Sequence, residues 1–183
     1  MTHTVEGVKR MQNLINGLLE YSRIGTRGQK PEPVDAKTAL DHALAHLHMS
    51  ISESGAKITA GQLPKVSVDS FQLAQLFQNL ISNAIKFRSE QTPEIRITAE
   101  HLDGQWKFAV ADNGIGIEPQ YADRIFLIFQ RLHSRVKYPG TGIGLALCKK
   151  IIERHGGKIW VESKAGAGST FYFTIPDTGE SSQ

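Results

Sequence analysis

Between Phe71 and Phe87 the apolar residues Phe71, Ala74, Phe77, Ile81 and Ile85 recur every three or four positions, the spacing of an amphipathic helix that turns one face to a core. This run constrains everything around it, because a second face is patterned as well. Gln75, Asn79, Asn83 and Lys86 fall at i, i+4, i+8 and i+11, which lines three amides and an ammonium along one stripe. Such a stripe is either a solvated face or the wall of a polar site. Asn inside a helix costs intrinsic propensity, and a surface stripe is more usually built from Glu and Lys, so the other motifs have to decide between the two readings.

Ahead of that helix, Val5, Val8, Met11, Ile15, Leu18 and Ser22 alternate steps of three and four up to about Ile24. This is a heptad-like seam suited to pairing with another helix, and it reads as the second half of a helical hairpin cut from a longer protein. Gly25, Gly28, Pro31 and Pro33 then break the pattern. The expected division is residues 1–27 as a partial dimerisation domain, 28–33 as a linker, 34–176 as the main domain and 177–183 as a polar disordered tail. Within the main domain the patterns give a short strand from Val34, a helix from about Asp35 to Ser52 and a strand near Ala56 to Ala60. After the organising helix, EIRITAEHL and QWKFAVAD alternate as strands around a two-residue turn at Asp103-Gly104. A loop-rich stretch runs from Asp112 to Gly140, and a helix from Thr141 to His155 ends at Gly156-Gly157. The strands KIWVES and TFYFTIP close the fold. Helices and hairpins without a steady β-α-β alternation indicate an α+β fold, a two-layer α/β sandwich preceded by one long coiled-coil-like helix.

A length of 183 residues suits one core with an appendage. No apolar run approaches the roughly 18 residues that span a bilayer, and no basic-then-apolar leader opens the chain, so a cytoplasmic segment without direct membrane contact is expected. The single Cys148 lies in the apolar run IGLALCKKII and reads as a buried inert thiol, which excludes an internal disulfide and cysteine-built metal clusters. A formal charge of +3 comes without a Lys/Arg block of the kind that tracks a nucleic-acid backbone, so no nucleic-acid partner is expected.

Two glycine clusters carry the chemistry. Trp106, Phe108, Val110 and Asp112 share one face of a strand, so a carboxylate continues an apolar row and needs a donor. Asp112-Asn113-Gly114 is ordinary turn chemistry. It equally suits a carboxylate that accepts from the amino group of a planar ligand such as adenine, with Gly114 and Gly116 permitting close backbone approach. The second cluster, Gly140-Thr141-Gly142-Ile143-Gly144, runs into a helix whose first N–H groups could seat phosphate, or it serves only as a helix cap. It does not follow a strand, which rules out a dinucleotide fingerprint, and no GxxxxGK[ST] loop exists.

Taken in order, NLISNAIKF, DNGIGI, FLIFQRL, GTGIGLAL and GSTFYFTIP resemble the N, G1, F and G2 boxes and closing strand of sensor histidine kinases of two-component systems. RMQNLINGLLEYSRIG is similar to the second helix of the family's dimerisation domain, and KYPGTGIGLALCKKIIERHGG to the subset found in phytochromes and PAS-type sensors. The resemblance implies the histidine kinase/gyrase-type ATPase sandwich, with ATP and Mg²⁺ as cofactors. It implies that Asn83 coordinates Mg²⁺ beside Asn79, and that Lys86 and Arg131 reach the phosphates. Asp112 takes the adenine amino group with Gly114 and Gly116 beside the base and Thr170 supporting it, while Gly140, Thr141, Gly142 and Gly144 line the phosphate side. A lid from Leu132 to Pro139 carries Arg135 and Lys137.

The implied reaction moves the ATP γ-phosphoryl group to a histidine on the dimerisation helix for relay to a response regulator receiver domain. Implied partners are the missing hairpin helix and a second protomer. The sequence departs from the family at the acceptor: none of its seven His is followed by the expected acidic residue and Pro. His155 reads as a charge at a helix end, and His42, His46 and His48 lack the carboxylate or Cys that would complete a metal site. Two alternatives stand beside the kinase reading: a non-catalytic nucleotide-sensing dimerisation module, and an ATPase of the gyrase/chaperone kind. The latter uses a water-activating Glu where this chain has Asn79.

Overall fold

The computed structural model describes residues 2–132, 138 and 140–177. A long helix α1 (Thr2–Thr26) leads into β1 (Glu32–Asp35), α2 (Ala36–His46), α3 (His48–Ser54), β2 (Lys57–Ala60), β3 (Lys65–Val68) and α4 (Ser70–Lys86). The hairpin β4 (Glu94–Leu102) and β5 (Gln105–Asp112) follows, then two short 3-10 turns, α5 (Gly144–Arg154), β6 (Ile159–Ser163) and β7 (Ser169–Pro176). Five strands form a mixed sheet in the order β2-β4-β5-β7-β6, and β1 pairs with β3 in a separate ribbon. Asp103 and Gly104 both take positive φ, 50° and 73°, the geometry that lets a two-residue turn follow the twist of its strands.

α4 is the spine of the helical layer. Asp69 caps it, accepting the N–H groups of Phe71 and Gln72 on Oδ1, and Leu73, Leu76, Phe77, Leu80, Ile81, Ala84 and Ile85 are buried. Phe77 meets Phe108 and Phe173 edge-on at 6.2 and 6.0 Å, and those two rings stack at 4.7 Å across β5 and β7. Burying a side chain of this size stabilises by about 1.5–3 kcal/mol before ring geometry adds to it. The aromatic trio therefore fixes α4 on the inner face of the sheet.

The structure departs from the sequence expectations in several places. Phe71 is 71% exposed, and the buried set lies one step round the helix. The helix expected from Asp35 to Ser52 is two helices, broken at Leu47, whose buried side chain sits on a non-helical backbone with φ −94° and ψ 3°. β3 is a further strand that the sequence patterns do not include. The helix expected from Thr141 starts at Gly144, with Ile143 at its cap, so Gly140, Thr141 and Gly142 form a loop ahead of it. α1 does not stand apart from the rest. Ile24 is 4% exposed inside the core, Lys150 donates to the Tyr21 carbonyl at 2.8 Å, and a Cβ on Gly17 would lie 3.0 Å from Ile143 Cδ1.

Candidate functional site

A cleft of about 240 Å³ opens between the end of α4, the turn after β5, and the loop that enters α5. Asn79, Asn83, Lys86, Arg131, Asp112, Gly116, Gly140, Thr141, Gly142 and Gly144 all line it. Gly114 and Thr170, also expected there, do not. Gly114 stands behind the wall, donating its N–H to Asp112 Oδ1 at 2.8 Å, and a Cβ there would meet the Phe87 carbonyl at 2.6 Å. Thr170 is on the outer face of β7. Strand alternation turns Ser169 and Phe171 inward instead, and those two line the cleft.

The polar stripe of α4 divides. Gln75 does not reach the cleft, and its Nε2 donates to Glu20 on α1 at 3.3 Å. Asn79 Nδ2 donates back to the Gln75 carbonyl at 3.0 Å, which points Oδ1 at the start of α5, where a Cβ on Gly144 would lie 2.9 Å away. No hydrogen bond to a described residue engages the Asn83 amide, which lines the cleft and is open to a ligand or metal. A Cβ on Gly140 would come within 2.5 Å of Lys86 Nζ. Burial, and then the Arg131 charge, holds the Lys86 ammonium below its ordinary value, so an anion in the cleft would be doubly welcome. Arg131 donates to the carbonyl oxygens of Tyr138 and Gly140, and Tyr138 packs its ring on Phe87 at 5.0 Å.

The floor at β5 has a different character. Asp112 Oδ1 accepts from Gly114 and, at 3.3 Å, from Ser169 N–H, which leaves Oδ2 for a ligand. Burial pushes its carboxyl above the usual range, with those two N–H groups opposing the shift. Ile115, Ile117, Ile125 and Phe171 supply apolar walls that sequence reasoning missed. Only the inward phase of Phe171 was readable, from its alternation with Phe173. Gly116 has φ 71°, and a Cβ there would fall 2.1 Å from the Lys164 carbonyl, so the loop rests directly on the β6–β7 turn.

At the entrance to α5, Thr141 Oγ1 accepts the Ile143 N–H at 3.4 Å, and the first helical bond runs from Leu147 to Ile143. The N–H groups of Gly144, Leu145 and Ala146 are left without helical partners at the positive end of the helix. The site thus pairs an apolar slot and a lone carboxylate acceptor with a helix start whose N–H groups suit an anion, flanked by amide side chains. Asp112 is the only carboxylate among the described lining residues, and none of those residues is a His. Cys148 is buried with its thiol pushed up, in keeping with an inert core position. The lid expected at 132–139 falls outside the described residues apart from Leu132 and Tyr138, and so do Arg135, Lys137, His133 and the tail at 178–183.

Residues 68–179 match the family described as histidine kinase-, DNA gyrase B- and HSP90-like ATPase. Cyanobacterial phytochrome A of Nostoc sp. (strain PCC 7120) is 58% identical over 98% of this chain, which spans 23% of that protein. Full-length ShkA in complex with AMPPNP superposes with a TM-score of 0.77 at 29% identity, covering 96% of this chain and 37% of ShkA. The histidine kinase ThkA in complex with the response regulator protein TrrA gives 0.73 at 25% identity, covering 97% of this chain and 50% of ThkA.

Proposed function

The chain belongs to the histidine kinase-, DNA gyrase B- and HSP90-like ATPase family as a sensor histidine kinase catalytic domain, and from that premise we propose that it transfers the γ-phosphoryl group of ATP to a protein histidine. The observation that carries this reading is a cleft that joins an apolar slot and a carboxylate acceptor to the amide, ammonium and helix-start groups suited to phosphates, with no His among its described lining residues to take the phosphoryl group. In the transfer the bond from γ-phosphorus to the β–γ bridging oxygen breaks, a bond from phosphorus to an imidazole nitrogen forms, and ADP leaves. Because the transition state is loose, positioning and charge neutralisation supply the rate.

Each residue has a place in that scheme. Asp112 Oδ2 accepts from the adenine amino group while the isoleucines and Phe171 exclude water from the ring. Lys86 and the free N–H groups at the start of α5 hold the phosphates, and Arg131 exchanges its carbonyl partners for phosphate oxygens. Asn83 would hold Mg²⁺. An amide oxygen without a partner among the described residues suits a hard cation that leans on phosphate for its remaining ligands. A bound Mg²⁺ would supply positive charge that offsets the charge of the phosphates.

Asn79 stands where a hydrolytic relative would hold a water-activating carboxylate, and an amide tied to the Gln75 carbonyl cannot take a proton from water. This disfavours the gyrase/chaperone-type ATPase. The response regulator complex of ThkA supports a receiver domain as partner for this chain, and a second protomer would cover the exposed seam of Val8, Met11, Ile15 and Leu18 on α1. No described helix is long and apolar enough to cross a membrane. A cytoplasmic setting is part of the same proposal.

Incubating the chain with γ-labelled ATP and Mg²⁺ should leave it unlabelled. Adding the histidine-bearing hairpin domain of a phytochrome-type kinase should put acid-labile, base-stable label on that hairpin. Steady phosphate release without the hairpin would overturn the transferase reading in favour of hydrolysis, and label on the chain itself would make one of its own His residues an acceptor.

A further inference from the structure

The segment that joins α1 to the domain crosses a cluster of ionisable groups that the nucleotide site does not use. Asp69, 3% exposed, accepts the N–H of Gln29 on Oδ2 at 2.7 Å. Arg154 donates through Nη2 to the carbonyl of the same Gln29 at 2.9 Å, and its Nη1 pairs with Asp69 Oδ2 at 3.5 Å. Both polar groups of one linker residue are therefore held by an acid–base pair. Gly28 lies flat across the guanidinium, where a Cβ would fall 1.5 Å from Nη1. Beside them the Asp69 N–H points at His155 Nε2, 3.0 Å away. A backbone N–H can only donate, so Nε2 must accept, and the ring proton sits on Nδ1, which donates to the Ile151 carbonyl at 2.8 Å. His155 is thus a neutral acceptor and not the helix-end cation that its sequence position suggested.

Three elements meet at Asp69. Its Oδ1 caps α4, the helix that carries Asn79, Asn83 and Lys86, and its N–H rests on the end of α5, whose other end opens the phosphate seat. Nearby, Gln72 reaches the Ile24 carbonyl only at 3.5 Å, and its own Oε1 is buried without a partner among the described residues. The seat of α1 is thus held by polar contacts that are not all satisfied, the kind of contact that yields to a modest push.

We propose that Asp69, Arg154 and His155 form a clasp that fixes the linker, and with it α1, in one orientation on the ATP-binding half, and that protonation of His155 opens it. A proton on Nε2 would set two donors against each other and add a positive charge beside Arg154. The charged groups acting on the ring are Arg154 from its own helix and Asp69 from the segment entering α4. Burial and Arg154 lower the affinity of the ring for a proton, and the Ile151 carbonyl and Asp69 only partly restore it. The folded state therefore binds the proton less readily than the unfolded chain. The contribution of the clasp is complete above the ordinary imidazole value of about 6.5 and is lost as the pH falls through and below it. α1 in such kinases would then be released or seated by a change at the far end of α4 and α5 from the nucleotide.

The test reads a distance and does not depend on catalysis. Cysteines placed at the exposed positions Ile15 and Met49 would carry a spin-label pair, and buried Cys148 would stay unlabelled. The parent chain should give one narrow distance distribution at about pH 8, with a second, broader population growing reversibly towards about pH 5 while near-ultraviolet circular dichroism holds. Arg154→Ala should show the broad population at every pH. His155→Gln, whose amide oxygen can accept the Asp69 N–H without titrating, should stay narrow throughout. A parent distribution that remains narrow at acid pH, an Arg154→Ala variant like the parent, or a His155→Gln variant that still opens would each overturn the clasp. A chain that fails to bind ATP yet shows the expected distances would overturn the proposed function and leave the clasp standing.

Discussion

Replacing Asn83 by Ala should abolish the metal-dependent part of ATP binding while leaving the fold as stable as before. The amide lines the cleft with no described hydrogen-bond partner, so its removal strands no buried donor or acceptor. The neighbours that hold α4 in place, Leu80, Ile81, Ala84 and Ile85, are on the buried face and are untouched. Ala is the better helix former by a few tenths of a kcal/mol, so the melting temperature should hold or rise slightly. Calorimetry with and without Mg²⁺ separates the outcomes. The parent should bind ATP at least about tenfold more tightly with metal, which is about 1.4 kcal/mol, and the variant should bind equally in both conditions. A variant that keeps the full metal effect would return Asn83 to the rank of a solvated residue. The same change at Asn79 would be less clean, because its Nδ2 also holds the Gln75 carbonyl.

The division of the α4 stripe shows what a sequence can and cannot convey. Periodicity gave the helix and the existence of two faces, since spacing is set by 3.6 residues per turn wherever the helix sits. Phase was less secure. A set running through Phe77, Ile81 and Ile85 fits the buried face, but extending it back to Phe71 lands on the outward side of the first turn, where Gln72 and Leu73 are the buried residues and Phe71 is exposed. Gln75 belongs to the stripe by spacing and is claimed by Glu20, a contact across 55 residues that local pattern cannot announce. The docking of Ile24, Tyr21 and Gln29 on α4 and α5 is illegible for the same reason. On β7 the error was one residue, and in a strand one residue is a change of face. Phe171 and Phe173 had to point inward, so Ser169 and not Thr170 had to join them at the cleft. The glycine loops were legible because what they reveal is a backbone requirement, and Gly116 and Gly142, at φ 71° and 76°, meet it.

Exchanging Asp112 for Asn should reverse the cleft's choice of purine. In the parent, Oδ1 is engaged by the Gly114 and Ser169 N–H groups, and Oδ2 is left to accept from a ring amino group. The two backbone donors require an oxygen opposite them, so the amide of Asn must keep its Oδ1 there and turn Nδ2 into the cleft. A donor then stands where an acceptor stood. ATP, which presents an amino group at that ring position, should lose roughly 1.5–3 kcal/mol, the scale of a hydrogen bond to a charged group, or about ten- to a hundredfold in affinity. GTP and ITP, which present a carbonyl there, should gain relative to ATP. Asp112→Ala should lose ATP to a similar extent without favouring either alternative, because a methyl group neither accepts nor donates. Removing a carboxyl whose burial already raises its proton affinity relieves a desolvation cost, so neither variant should melt below the parent by more than the loss of the two backbone partners allows, about 1–3 kcal/mol for Ala and less for Asn. Titrating the three nucleotides against the three proteins gives the full matrix. An Asn variant that weakens ATP and GTP equally would mean that Asp112 only shapes the turn at Gly114 and that the base is read elsewhere in the cleft.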